Sequence, residues 1–414
     1  VAGLHASLAS FRHRDFRWLW TGTFCGTAAQ WVQQAALGWV VYDLTGSSTL
    51  LGAVLGVRAI PMLLLAPISG LVAERYDRRV ALALCQLPMV VMSFLVGAAL
   101  ALDRVEMWHL FVFTFCAGIH TAFDRTLRNA LVFDVVPRSE VSNAVALNSI
   151  AFSVTRAVGP GLAGVLIGWI GSSWNFVLQG LMYLGVIAAA LTIAAKPRAP
   201  AKRKGSAWPD IKEGLNFAAT DPIARMMMIL GLVPPMLLIP SFSALMPVFA
   251  VDVFGTGPEG LGLLLSAVGA GGVAGGILAT TISRYDRIAE VQVGALLVFA
   301  ASLVGFALSP NVPVALFFLL VSGAAEMVHV ASNHTTLQMC APEHLRGRVS
   351  SLLPIFPAFI AVGSATSGVG ADLVGPQAFV IATALAGAGI ACWAWLRSKA
   401  LRGLRLAHLV AAKK

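Results

Sequence analysis

The chain has 414 residues, 58% of them hydrophobic and only 12% charged, with a mean hydropathy of +0.81. Soluble globular domains carry about 25% charge, so this composition excludes one and points to a polytopic membrane protein. The net charge of +10 lies in short clusters between apolar runs, which argues for loops beside a membrane and against nucleic acid as a partner.

Twelve apolar runs follow in order: 18–42, 49–73, 80–102, 107–133, 141–170, 173–195, 224–250, 257–282, 288–308, 313–336, 347–372 and 376–396. A spanning helix needs about 20 such residues. The runs are continuous, whereas barrel strands alternate, and lipid offers the backbone no partner outside a helix. The expected fold is therefore an all-α membrane protein of twelve transmembrane helices. Arg12, Arg14 and Arg17 precede the first run, and no small-residue cleavage site follows, so this run is expected to be a spanning helix and not a signal peptide. Of the 29 Lys and Arg, only Arg104 falls on the side opposite the termini, and only Arg58 and Arg156 fall deep within runs. The positive-inside rule then puts both termini in the cytoplasm of a bacterial cytoplasmic (inner) membrane. The five cysteines form no CxxC pair and imply neither a disulfide framework nor a metal site. No cofactor is expected.

The polar stretch 196–222 reads as a cytoplasmic linker, with a short surface helix over Trp208–Ala219. It divides the chain into six-helix halves, 1–195 and 223–414. These look like copies: Arg75-Tyr-Asp77-Arg78 recurs as Arg284-Tyr-Asp286-Arg287, each just after the second run of its half. Pseudo-symmetric parallel halves are a transporter design, in which access alternates about a midplane site.

The loop 70-GLVAERYDRR-79 packs its charges between nearly uncharged flanks. Its Gly70, Glu74, Arg75, Asp77, Arg78 and Arg79 resemble the loop 2–3 motif of the major facilitator superfamily. The stretches 38-GWVVYDLTGSS-48, Arg58-Ala-Ile-Pro61, 123-FDRTLRNALVFDVVPRSEVSNAVALNS-149 and 159-GPGLAG-164 are similar to the bacterial branch that contains the enterobactin exporter and related drug-efflux proteins. Two positions depart from the drug/proton antiporters: Thr114 stands where many carry Arg, four residues before Gly118, and the glycines that precede Gly159-Pro160 there are absent. The resemblance implies a monomeric secondary transporter that works by alternating access. It would export a small amphipathic molecule, siderophore or drug-like, by proton antiport. An importer, a facilitator or a lysophospholipid flippase would use the same fold. No HExxH helix or acid cluster suggests an enzyme.

A charge at the bilayer centre costs about 2.5–3.5 kcal/mol, so each buried one needs a reason. Arg58, Asp124 and Arg156 lie within runs. They read either as structural, with an Arg156–Asp124 pair joining helices, or as cavity groups for an anionic or catecholate substrate. Glu326, His329 and Asn333 share one helix face. Buried carboxylates can exchange protons near neutral pH, so Glu326, His329 and Asp124 are the candidate proton-coupling residues; hydrogen-bonded glue between helices is the alternative. Gln30, Trp31 and Gln34 in the first run, with Asn333, are candidate cavity residues, since the resemblance implies that runs 1, 4, 7 and 10 line the cavity. The glycines of 269-GAGGVAGG-276 are read as close helix packing, not a dinucleotide loop. Pro234, Pro235, Pro240 and Pro247 are expected to kink or break run 7. The loop is expected to act as a latch. In it Asp77 caps a helix or pairs with Arg across the halves, Gly70 admits a neighbouring helix, Arg128 reaches down to the loop, and Arg284 and Asp286 form the second copy.

Overall fold

In the computed structural model, residues 8–194, 207–282, 285–342, 345 and 356–405 are described. All regular structure among them is helical. The main helices are α1 (Arg14–Thr45), α2 (Ser48–Val57), α3 (Ala59–Arg75), α4 (Arg78–Ala101), α5 (Met107–Val135), α6 (Val141–Ile170), α7 (Ser172–Thr192), α8 (Ala207–Thr220), α9 (Pro222–Val233), α10 (Pro258–Ile282), α11 (Ile288–Ala307), α12 (Val312–Cys340), α13 (Phe356–Val374) and α14 (Pro376–Arg397). Every apolar run carries a helix. Nine helical stretches among the described residues are long and apolar enough to cross a membrane. α1 and α5 fall outside that set, and they carry most of the polar side chains discussed below.

Local chemistry sets the boundaries. Run 2 is split at Arg58 into α2 and α3. α5 stops at Val135, and Val136 is extended, as expected of a residue before proline. α8 gives way to α9 at Asp221, whose carboxylate accepts from the Ile223 and Ala224 amides at 3.0 and 2.7 Å, with Pro222 at the first helical position. In run 7 the prolines remove ladder donors. There α9 passes into a π-helical turn at Pro234–Leu238, then short α-helical pieces and a second π turn at Phe249–Val253.

The chain forms two compact units. The first comprises 1–44, 57–203 and 257–262; the second comprises 45–56, 204–256 and 263–414. Compared with a division at the linker, each unit takes in a short segment from the other side of the chain.

In the first unit α4 packs on α5 and α7, and α3 on α5. An apolar core joins Phe16 and Leu19 of α1 to Leu82, Leu127, Leu131, Val135, Leu147 and Ile193. Trp20 Nε1 donates to the Leu147 carbonyl at 3.0 Å, tying α1 to α6. The glycine motif of α6 meets the segment 257–262: a Cβ on Gly262 would lie 2.7 Å from the Pro160 carbonyl.

In the second unit α11 packs on α12 and α14. A Cβ on Gly271 or Gly275 would collide with the backbone of Leu320 or Ala324, so the glycine stripe of α10 is where α12 approaches most closely. α2 lies on α13 in this unit. Gly46, at φ +59°, turns the chain out of α1. The Asp372 carboxylate then caps α2, accepting from the amides of Ser48 (3.2 Å) and Thr49 (2.9 Å) and from the Ser47 hydroxyl (3.3 Å). A helix N-terminus favours such an anion. Asp372→Ala should therefore lower the apparent melting temperature of purified protein, by an amount corresponding to about 0.5–1 kcal/mol, whereas Gly275→Leu should abolish a monodisperse peak in size-exclusion chromatography.

Candidate functional site

In the first unit polar groups of α4, α5 and α7 converge on Asp124. Arg128, one turn further along α5, donates Nε to both Asp124 oxygens at 2.9 and 2.8 Å. From α4, Gln86 donates Nε2 to Asp124 Oδ1 at 2.7 Å. The same amide accepts from His120 Nε2, also at 2.7 Å, so Gln86 bridges His120 and Asp124. That bond puts the proton of a neutral His120 on Nε2. The His120 ring meets Tyr183 of α7 edge-on, with centroids 5.1 Å apart. Arg58 donates to the Thr121 hydroxyl at 2.6 Å. It can reach because Gly118 lets α5 in close: a Cβ there would lie 2.7 Å from the Arg58 carbonyl. Arg128 is buried, and its Nη1 and Nη2 have no protein partner. With two guanidinium groups and one carboxylate, the cluster holds one positive charge in excess.

The expected Arg156–Asp124 pair does not form. Asp124 is taken by Arg128, its neighbour one helical turn away, and by Gln86. Arg156 instead lies over the Trp31 ring, 5.6 Å from its centroid. Gln30 and Gln34 are half-buried on α1. Gln33 between them turns inward, accepting from Gln179 of α7 at 2.8 Å.

In the second unit Glu326, His329 and Asn333 are all buried on α12. Gln292 of α11 donates Nε2 to Asn333 Oδ1 at 2.8 Å, and its carbonyl lies 3.2 Å from His329 Nδ1. His329 Nε2 and Gln292 Oε1 are buried without a hydrogen-bond partner.

The loop after α3 is anchored within the first unit. Asp77 caps α4, accepting from the Arg79 amide at 2.9 Å and from the Arg79 guanidinium at 3.1 and 2.7 Å. Those side-chain bonds hold the Asp77 carboxyl below the usual carboxylate range. Its contribution to stability is therefore full above about pH 4 and is lost as the pH falls through the lowered folded value. Arg78 donates to the Ala73 carbonyl at 2.8 Å and to both oxygens of Asp134, at the end of α5, at 2.9 and 2.7 Å. Arg79 Nη1 also holds the Ile193 carbonyl at 2.7 Å. Glu74 and Arg75 are exposed. Among the described residues, a Cβ on Gly70 would meet nothing within 4 Å. One expectation fails here. Arg128 is turned into the bundle by Asp124 and does not reach the loop. In the second copy Asp286 pairs with Arg405 at 3.6 Å and Arg287 with Glu290 at 3.0 Å, both partly exposed; Arg284 lies outside the described residues.

The sequence reading missed Gln86, His120, Asp134 and Gln292. One signal was present. The interval from Asp77 to Asp286 equals that from His120 to His329 and that from Asp124 to Asn333. At this interval 120-HTAFDRT-126 faces 329-HVASNHT-335.

A family model described as "transmembrane secretion effector" matches residues 5–406. The chain belongs to this family. It lies within the major facilitator superfamily, as the loop motif implied, and the chain is a multi-pass membrane protein. The staphyloferrin A transporter of Staphylococcus aureus is 22% identical over 365 residues, covering 87% of this chain and 90% of that one. The multidrug efflux pump Tap of Mycobacterium tuberculosis is 27% identical over 407 residues, 93% of each chain. Among solved structures, the nucleoside transporter NupG superposes with a TM-score of 0.73 at 14% identity, covering 93% of this chain and 99% of that one. A bacterial Spinster homologue gives 0.73 at 14% identity, covering 94% and 97%. These structures share the fold of this chain.

Asp134→Asn should cost about 1.5–3 kcal/mol by releasing the charged bonds of Arg78, read as a lower apparent melting temperature. Asp77→Asn, which keeps a cap but loses the charge, should cut transport while leaving membrane insertion and ligand binding largely intact; full transport by that variant would refute a latch at this loop.

Proposed function

We propose that the chain is a secondary transporter that exports a small amphipathic molecule across the bacterial cytoplasmic membrane by alternating access and proton antiport, with both termini in the cytoplasm. One observation supports this above the rest. Ionisable groups that lipid penalises lie within helices of both units: buried Arg128 with half-buried Asp124 in one, buried Glu326 and His329 in the other. Packing alone calls for apolar residues there, and proton exchange calls for carboxylates in a dry, polar pocket. The antiporter arginine absent at Thr114 has a nearby substitute, since Arg58 enters the same helix at Gly118 and Thr121. Export is favoured because relatives along nearly the whole chain are named as efflux pumps. A siderophore or drug-like substrate follows from the staphyloferrin A and multidrug names and from the excess positive charge beside Trp31 and Tyr183. Gln30, Gln34, Trp31, Arg156, Arg58 and Asn333 are the proposed cavity residues.

Inside-out vesicles acidified within should accumulate such a substrate, and collapsing the pH gradient should abolish accumulation. Glu326→Gln should reduce this uptake at least tenfold with binding retained. Accumulation that ignores the pH gradient in the unmodified protein would overturn antiport, and unchanged gradient-driven uptake in the variant would remove Glu326 from the coupling path.

A further inference from the structure

The two units hold similar side-chain arrangements that differ most in charge. On α5, His120 stands one turn before Asp124; on α12, His329 stands one turn before Asn333. In each unit a glutamine from the preceding helix donates Nε2 to the Asx oxygen: Gln86 to Asp124 at 2.7 Å and Gln292 to Asn333 at 2.8 Å. Each histidine bonds that same glutamine, His120 through the side-chain oxygen at 2.7 Å and His329 through the backbone carbonyl at 3.2 Å. The His–Asx pairs stand at the interval that separates the loop motifs, and the two glutamines stand three residues short of it. The difference is charge. Asp124 faces Arg128, whereas Asn333 is neutral and the residue at Arg128's place is Leu337.

The uncharged copy shows what the packing requires. A glutamine can join α11 to α12 through an asparagine, so joining α4 to α5 needs no carboxylate. Burying Asp124 and Arg128 costs desolvation that even a good ion pair barely returns. The charge at position 124 is thus surplus to the fold. We infer that Asp124 is the carboxylate of the first unit that takes up and releases a coupled proton, that Gln86 and His120 are positioning residues for it, and that Gln292–His329–Asn333 is its uncharged counterpart. The inference rests on the antiport reading above. In the step itself, a hydronium ion gives its proton to an Asp124 oxygen and leaves water, and the ion pair with Arg128 is lost. On the other side that O–H bond breaks and the proton returns to water. The groups facing Asp124 are Arg128 and His120 of its own helix, Cys85 and Gln86 of α4 and Tyr183 of α7, with Arg58 next to His120. Gln86 donates to the ionised form, so removing it should favour the protonated form.

The test needs no substrate. Protein reconstituted in lipid is titrated by infrared difference spectroscopy across about pH 5–9, following the carboxylic C=O stretch. The unmodified protein should show a titrating band. Asp124→Asn/Arg128→Leu, which gives the first unit the residues of the second, should lose it. Gln86→Leu should keep it with the midpoint moved up by as much as one pH unit, and Gln86→Asn should partly restore the midpoint. A merely structural glutamine would change stability and leave the midpoint in place. A band that persists in the double variant, or an unmoved midpoint in Gln86→Leu, overturns the inference. Should the double variant not give monodisperse protein, the Gln86 midpoint decides alone. Gradient-driven uptake by the unmodified protein tests antiport separately, so antiport can stand while Asp124 fails.

Discussion

The cost of holding charge inside a bilayer governs this structure. Apolar side chains gain little by associating in lipid, so helices are joined by close packing of small residues and by polar contacts. Both devices are visible. Glycines bring α10 against α12 and α6 against the segment 257–262, while Gln86 and Gln292 stitch α4 to α5 and α11 to α12. The ionised groups are added to this scheme, and each is dressed by neighbours. Asp124 has two partners, and the buried guanidinium of Arg128 lies along the glycine face of α1.

That dressing separates two kinds of charge. Those of the loop after α3 are ordinary in origin, since basic residues gather on one side of any such protein. The structure gives them defined work: Arg78 clamps the end of α5 through Asp134, Arg79 reaches the end of α7, and Asp77 starts α4. Three helix ends are therefore fixed by one short loop. Among the described residues, the pairs seen in the corresponding loop of the second unit are more exposed, and exposed pairs contribute little.

Much of this was legible in the sequence. The apolar runs located every helix because lipid permits so few alternatives, and the prolines of run 7 marked where regular helix gives way to π turns. The glycine stripe was correctly read as packing. Partners of individual charges were less legible. Asp124 was matched to Arg156 by depth alone, whereas a helical partner at i+4 is nearer than any residue on another helix. Gln86 and His120 were passed over because a single neutral polar residue in an apolar run resembles simple glue. Recurrence at the interval of the loop motif, as His329, would have marked His120, whereas Gln86 has no counterpart at that interval.

The cap on α2 has a consequence of its own. Asp372 is exposed, and water can supply the same hydrogen bonds to Ser48 and Thr49 when the carboxylate leaves. Detaching α2 from α13 at that end thus exchanges one set of donors and acceptors for another of similar strength. The side chain of Asp124 is 19% exposed, and parting the partners there would strand a charge. Thermal motion can therefore separate helices at the wet rim far more readily than within the dry interior, so the bundle has a place to yield without losing its ionic centre.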